Sequence, residues 1–187
     1  MSNSVSAKKK TNVKLIDIFS VLFAILVAAD QYFKDLVVKQ IKPVGTKVII
    51  KDFFSLFYCE NTGSAFSLFA DKAWGIYFLI AVSTILGCGI FALMIVSSKN
   101  SMPLLSVAFC LLSSGAIGNL IDRARLKYVI DFLRFDFGSY TFPIFNFADI
   151  CAVLGTFLLI YIIVFRSKEF EAFWNILFKK KETEDAE

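Results

Sequence analysis

Histidine is absent from the 187 residues. That removes the Ser–His and Cys–His pairs of nucleophilic enzymes, and the two-histidine helix of zinc peptidases. Charge is scarce too: 19% of the residues are charged, against 57% hydrophobic and 16% aromatic, with a mean hydropathy of +0.68. A soluble domain of this length can bury a core, but its usual apolar share is about 45–50%. The surplus here has nowhere to hide from water. Cysteine offers no framework either. Cys59, Cys88, Cys110 and Cys151 sit far apart with no ligand-like spacing. Three of them lie in apolar runs, where an inert buried thiol is the natural reading. No internal repeat is visible.

What is present is a series of charge-free windows. A helix needs about 20 mostly apolar residues to cross the hydrocarbon core. Ala73 to Val96 and Ser101 to Ile121 reach that length without a charge, and Ile150 to Phe165 reaches it if Ala148 and Asp149 sit at the boundary. The first window, Ile18 to Ala29, spans only by drawing in Leu15 to Asp17 and Asp30 to Phe33. That places Asp30 near membrane depth, where an acid is costly and reads as functional. Because Lys8, Lys9, Lys10 and Lys14 precede it, this window also has the look of a cleaved signal peptide. No cysteine follows before Cys59, so the chain is not itself an obvious lipoprotein.

The reading is therefore one membrane domain over residues 1–187, with spans at about 15–33, 73–96, 102–121 and 149–165. Between them lie loops 34–72 and 122–148, and a tail follows from 166 to 187. Thr46 to Ile50 and Phe53 to Tyr58 are β-branched or aromatic and predict strands. Tyr128 to Phe137 and Tyr140 to Phe145 flank Gly138-Ser139 as a hairpin would. Open strand edges cannot sit in lipid, so these predict a small sheet at the membrane surface. Phe170, Phe173, Trp174 and Leu177 recur at helical spacing before Lys179, Lys180 and Lys181, which predicts an interfacial helix. Orientation stays undecided, because each side of this topology carries ten basic residues and the positive-inside rule ties.

The polar residues gather at span ends that emerge on one face. They are Asp30 and Lys34, the turn Asn61-Thr62-Gly63, Asn119 with Asp122 and Arg123, then Asp131, and finally Asn146 with Asp149. Each has a plain structural reading. Asp30 and Lys34 make an ordinary i, i+4 ion pair. Asp122 beside Arg123 suits a helix end at the headgroups, and Asp149 an acid facing a helix dipole. Ser113 to Gly118 suits close helix packing. Those readings leave unexplained why so many acids and asparagines return to one face. A carboxylate pair could activate water there, since two acids sharing a site split their pKa values. Among Asp30, Asp122, Asp131 and Asp149, spacing alone does not choose the pair. A serine activated by lysine (Lys34 with Ser64 or Ser67) and a non-enzymatic proton or ion relay remain open.

The ordered motifs resemble the lipoprotein signal peptidases, the signal peptidase II family of bacterial membrane aspartyl peptidases. Asp30-x-x-x-Lys34, Asn61-x-Gly63, Gly118-Asn119-x-x-Asp122-Arg123, Val129-x-Asp131-Phe132 and Phe145-Asn146-x-Ala148-Asp149 follow the family's order. Ser64 and Ser114 depart from it in minor ways. The resemblance implies an all-α membrane protein: a four-transmembrane-helix bundle with a small extracytoplasmic β-sheet, both termini cytoplasmic, in the bacterial cytoplasmic membrane. It implies Asp131 and Asp149 as the catalytic dyad, with Asp30, Lys34, Asn61, Gly63, Asn119, Asp122, Arg123 and Asn146 binding substrate or supporting the site. It also implies cleavage of diacylglyceryl-modified prolipoproteins just before the lipidated cysteine, by a monomer among membrane lipids, with no cofactor, metal or nucleic acid.

Overall fold

The computed structural model describes residues 12–63 and 74–178. Helix α1 (Val13–Gln40) opens on Asn12, whose side-chain oxygen accepts from the Leu15 amide at 3.3 Å. It runs well past Phe33 because its second half has something to bury. Asp30 and Lys34 turn toward the bundle, and Val37 and Ile41 pack with Ile130 and Phe132 under the sheet. Helices α2 (Gly75–Lys99), α3 (Pro103–Leu126) and α4 (Phe147–Phe165) follow, and α5 (Ser167–Phe178) turns back beneath the bundle.

Among the described residues, three helices are long and apolar enough to cross a bilayer: α2, α3 and α4, with mean hydropathies of 2.6, 1.9 and 2.4 over their best stretches. Helix α1, at 28 residues, is long enough but carries Lys14, Asp17, Asp30, Lys34, Asp35 and Lys39. Much of the bundle's exterior is apolar, including Ile25, Ile85, Phe157, Ile160 and Val164, all exposed. Such a surface suits lipid and is unfavourable in water.

Four antiparallel strands cap one end in the order β1 (Thr46–Ile50), β2 (Phe54–Asn61), β3 (Val129–Phe137) and β4 (Tyr140–Thr141). The predicted return strand to Phe145 shortens to two residues. Pro143 has no amide to donate, so the ladder breaks there. It resumes at Phe145, which bridges Leu133. The β2–β3 pairing sets Asn61 opposite Val129 and Cys59 opposite Asp131. Helix α3 ends at Lys127 in a left-handed conformation, φ 69°, which turns the chain directly into β3.

The apolar core divides in two. One cluster lies at the end away from the sheet and includes Phe19, Met94, Leu105, Phe109, Ile162 and Phe173. The second is the group of Val37, Ile41, Ile130 and Phe132 beneath the strands. Small residues bring α3 against α4 between them. A Cβ added at Gly115 would stand 2.5 Å from the Ala148 carbonyl oxygen, and one at Gly118 2.7 Å from an Asp30 carboxylate oxygen. Backbone cannot yield as a side chain does, so Gly115→Ala should destabilise by about 1–3 kcal/mol. Gly89, with nothing within 4 Å of its virtual Cβ, gives the control. Gly89→Ala should be neutral or slightly stabilising, as helix propensity favours alanine. Thermal unfolding of both variants in detergent distinguishes packing from composition.

Candidate active site

The site grows from a charge that has no business in an apolar bundle unless it is matched. Lys34 is 2% exposed and Asp30 1%. The Lys34 ammonium lies 2.9 Å from Asp30 Oδ2, 2.9 Å from Asp122 Oδ2 and 3.0 Å from Asn119 Oδ1. An ammonium has three donors, and all three are used. Each carboxylate then uses its remaining capacity on backbone. Asp30 Oδ1 accepts from the Ala148 amide at 3.0 Å, tying α1 to the start of α4. Asp122 Oδ2 accepts from the Ile130 amide at 3.1 Å, folding β3 back onto the helix it follows.

Asn119 passes this order onward. Its oxygen accepts from both Lys34 and Asn146, so its amide nitrogen is left to donate to Asp149 Oδ1 at 2.8 Å. Asn146 is the N-cap of α4 and forms a reciprocal capping box with Asp149. Its oxygen accepts from the Asp149 amide at 3.1 Å, and its own amide donates to the Asp149 carboxylate at 3.0 Å. The Asn146 side-chain nitrogen donates to Asp131 Oδ1 at 2.7 Å. One fully buried asparagine thus holds both acids, one by its side-chain amide and the other through the helix cap.

Asp131 also accepts from Asn61 Nδ2 at 2.9 Å, while Asn61 Oδ1 takes the Gly63 amide at 3.1 Å. The Gly63 carbonyl in turn accepts from Arg123 Nη2 at 3.3 Å. Arg123 Nε is buried without a hydrogen-bond partner among the described residues. Burial pushes the Asp131 carboxyl up to about 6, and the Asp149 charge pushes it the same way, against the bonds from Asn61 and Asn146.

All ten site residues expected from the sequence are described, and they form one connected network. Gln31 was missed. Its amide lies 3.0 Å from Asp122 Oδ1, 3.2 Å from Asp30 Oδ2 and 3.2 Å from the Gly118 carbonyl, so it bridges the same two acids as Lys34. Its place beside Asp30, one turn from a lysine, was the available signal. The geometry disfavours a serine–lysine pair, because the Lys34 nitrogen is enclosed by Asp30, Asp122 and Asn119 and is not free to take a proton from a hydroxyl. Ser64 and Ser67 lie outside the described residues, as do Phe66, Lys72 and the lysines before residue 12 and after residue 178.

The family model for signal peptidase (SPase) II matches residues 22–165. The lipoprotein signal peptidase of Caldanaerobacter subterraneus subsp. tengcongensis is 40% identical over 147 residues, covering 78% of this chain and 95% of that protein. That of Enterococcus faecalis is 40% identical over 152 residues, covering 81% and 91%. A bacterial membrane enzyme solved at 1.9 Å resolution superposes with a TM-score of 0.70 at 25% identity, covering 84% of this chain and 97% of that one.

The bridging role of Asn146 can be separated from its capping role. Serine is also a good N-cap, but Asn146→Ser has no amide for Asp131 and Asn119. With those buried acceptors short of a donor, the variant should lose about 1–3 kcal/mol of stability by thermal unfolding. Misplaced acids should lower turnover by ~100-fold or more.

Proposed function

This chain belongs to the signal peptidase II family, and we propose that Asp131 and Asp149 are its catalytic dyad, cleaving a diacylglyceryl-modified prolipoprotein just before the lipidated cysteine. The observation that carries this reading is the single asparagine holding two acids in unequal surroundings. Burial and the neighbouring charge favour the protonated form of Asp131. In a pair that shares one proton, Asp149 is then the carboxylate. Asp149 takes a proton from water, and the water oxygen forms a bond to the scissile carbonyl carbon. Asp131 gives its proton to the carbonyl oxygen. As the tetrahedral intermediate collapses and the C–N bond breaks, Asp149 gives its proton to the leaving amine of the cysteine and Asp131 regains one from a hydroxyl of the intermediate. In this reading the unpartnered Arg123 donor supports the substrate side of the site.

Helix α1 is the fourth span in this reading. Its charges are compatible with lipid because Asp30 and Lys34 pair with one another inside the bundle, while Lys14, Asp17, Asp35 and Lys39 lie toward the helix ends. The sheet and the dyad then lie on the extracytoplasmic side, with both termini cytoplasmic and the lipid-modified substrate approaching from the bilayer. The chain acts as a monomer without a cofactor.

Purified protein in micelles should shorten a diacylglyceryl prolipoprotein by the mass of its signal peptide, and leave the unlipidated form intact. Equal cleavage of both forms would overturn the substrate assignment. Asp131→Asn and Asp149→Asn should each lower the rate by about 10²–10⁴ or more while melting like the parent. Near-normal cleavage by either folded variant would remove that residue from the dyad.

The pH profile carries a sign. As pH rises through about 6 the free enzyme loses the Asp131 proton, so kcat/KM should fall. The apparent value belongs to the pair. The Asn61 hydrogen bond favours ionised Asp131, so Asn61→Ala should move this descending limb to higher pH. A downward move would contradict the assignment of the proton.

A further inference from the structure

Helix α5 begins two residues after the segment matched by the family model ends, so it stands outside what the family shares. It is nevertheless docked. Phe173 is 2% exposed and meets Phe109 at a ring separation of 5.4 Å, while Phe170, Ile176 and Leu177 pack against the same core. The apolar face expected to lie on the membrane is therefore largely turned inward, onto the bundle. A different surface is left over. Phe170, Trp174 and Phe178, spaced at i, i+4 and i+8, form a continuous aromatic flank. The Phe170 and Trp174 rings are 6.4 Å apart and those of Trp174 and Phe178 4.3 Å. Trp174 is 52% exposed and Phe178 53%. Lys168, Glu171 and Asn175 occupy the other exposed side.

At 100° per residue, this flank lies between the bundle-facing side and the polar side. That is where a lipid surface would meet a helix lying against the foot of a membrane bundle. The chain supports the same occupant. Only Arg166 separates α5 from Val164 and Phe165, the exposed apolar end of α4, so the flank begins within one turn of the bundle's exposed apolar surface. Tryptophan favours that depth, with an apolar body and a polar N–H.

We propose that α5 is a two-sided interfacial helix. Phe173 and Leu177 fasten it to the bundle, and the Phe170–Trp174–Phe178 flank inserts among the lipids of the leaflet opposite the active site. The membrane is held by the flank that the bundle leaves free.

Trp74 and Trp174 are the two tryptophans of the chain, so Trp74→Phe isolates the reporter. In phosphatidylcholine nanodiscs, lipid brominated on the upper acyl chain should quench Trp174 emission roughly twofold, with little quenching by aqueous iodide. Strong iodide quenching without a bromolipid effect would place the flank in water and overturn the proposal. Protection from both quenchers, with cross-links between copies through residue 174, would assign the flank to a second copy and overturn it equally. Should Trp74→Phe fold poorly, the difference in quenching between the parent and Trp174→Phe gives the same readout.

Discussion

Two carboxylates share one ammonium in the middle of an apolar bundle, and the rest of the site follows from that arrangement. Moving an isolated charge out of water costs several kcal/mol even after relaxation, so a buried lysine must have its donors met by good partners. Asp30, Asp122 and Asn119 meet all three. The acids in turn need more than one cation, and they find backbone amides of Ala148 and Ile130 and the amide of Gln31. The requirement for satisfaction therefore reaches from α1 and α3 to the first turn of α4 and the first residues of β3. Those are the two segments that carry Asp149 and Asp131.

This explains why the proposed dyad can sit on a strand and a helix start and still be held closely. Neither acid relies on its own backbone alone. Asp131 is held by asparagines from β2 and from the α4 cap, and Asp149 by one from α3 and by the cap itself. Three asparagines serve where charged residues would not. Each holds an acid with its side-chain amide and anchors itself through its oxygen, without adding charge to a site whose proposed chemistry splits one proton between two acids.

Much of the architecture was legible because membrane and sheet physics leave clear marks. Charge-free windows announced α2, α3 and α4, and the β-branched run at Thr46–Ile50 announced a strand. Other features were hidden for identifiable reasons. Helix α1 mixes its charges into its apolar face, since the charges are part of the packing. The return strand looked longer than it is, because composition does not weigh one missing amide at Pro143. In α5, helical spacing identified an apolar face correctly but could not say that the bundle would claim most of it. At the site, four acids looked equivalent by spacing, and the resemblance separated them. The geometry adds a reason: Asp30 and Asp122 are committed to Lys34, whereas among the described residues Asp131 and Asp149 accept from neutral donors. Gln31 was passed over since a glutamine beside an aspartate resembles a solvated position.

The account stands on the shared ammonium, and Lys34→Met addresses it directly. Methionine keeps most of the side-chain volume and removes the charge, leaving two buried acids to face one another. The variant should lose about 3–5 kcal/mol in thermal unfolding, together with cleavage of a lipidated prolipoprotein, since Asn119 no longer has the donor that orients it toward Asp149. A Lys34→Met protein that melts like the parent and cleaves at near-normal rate would contradict the central claim.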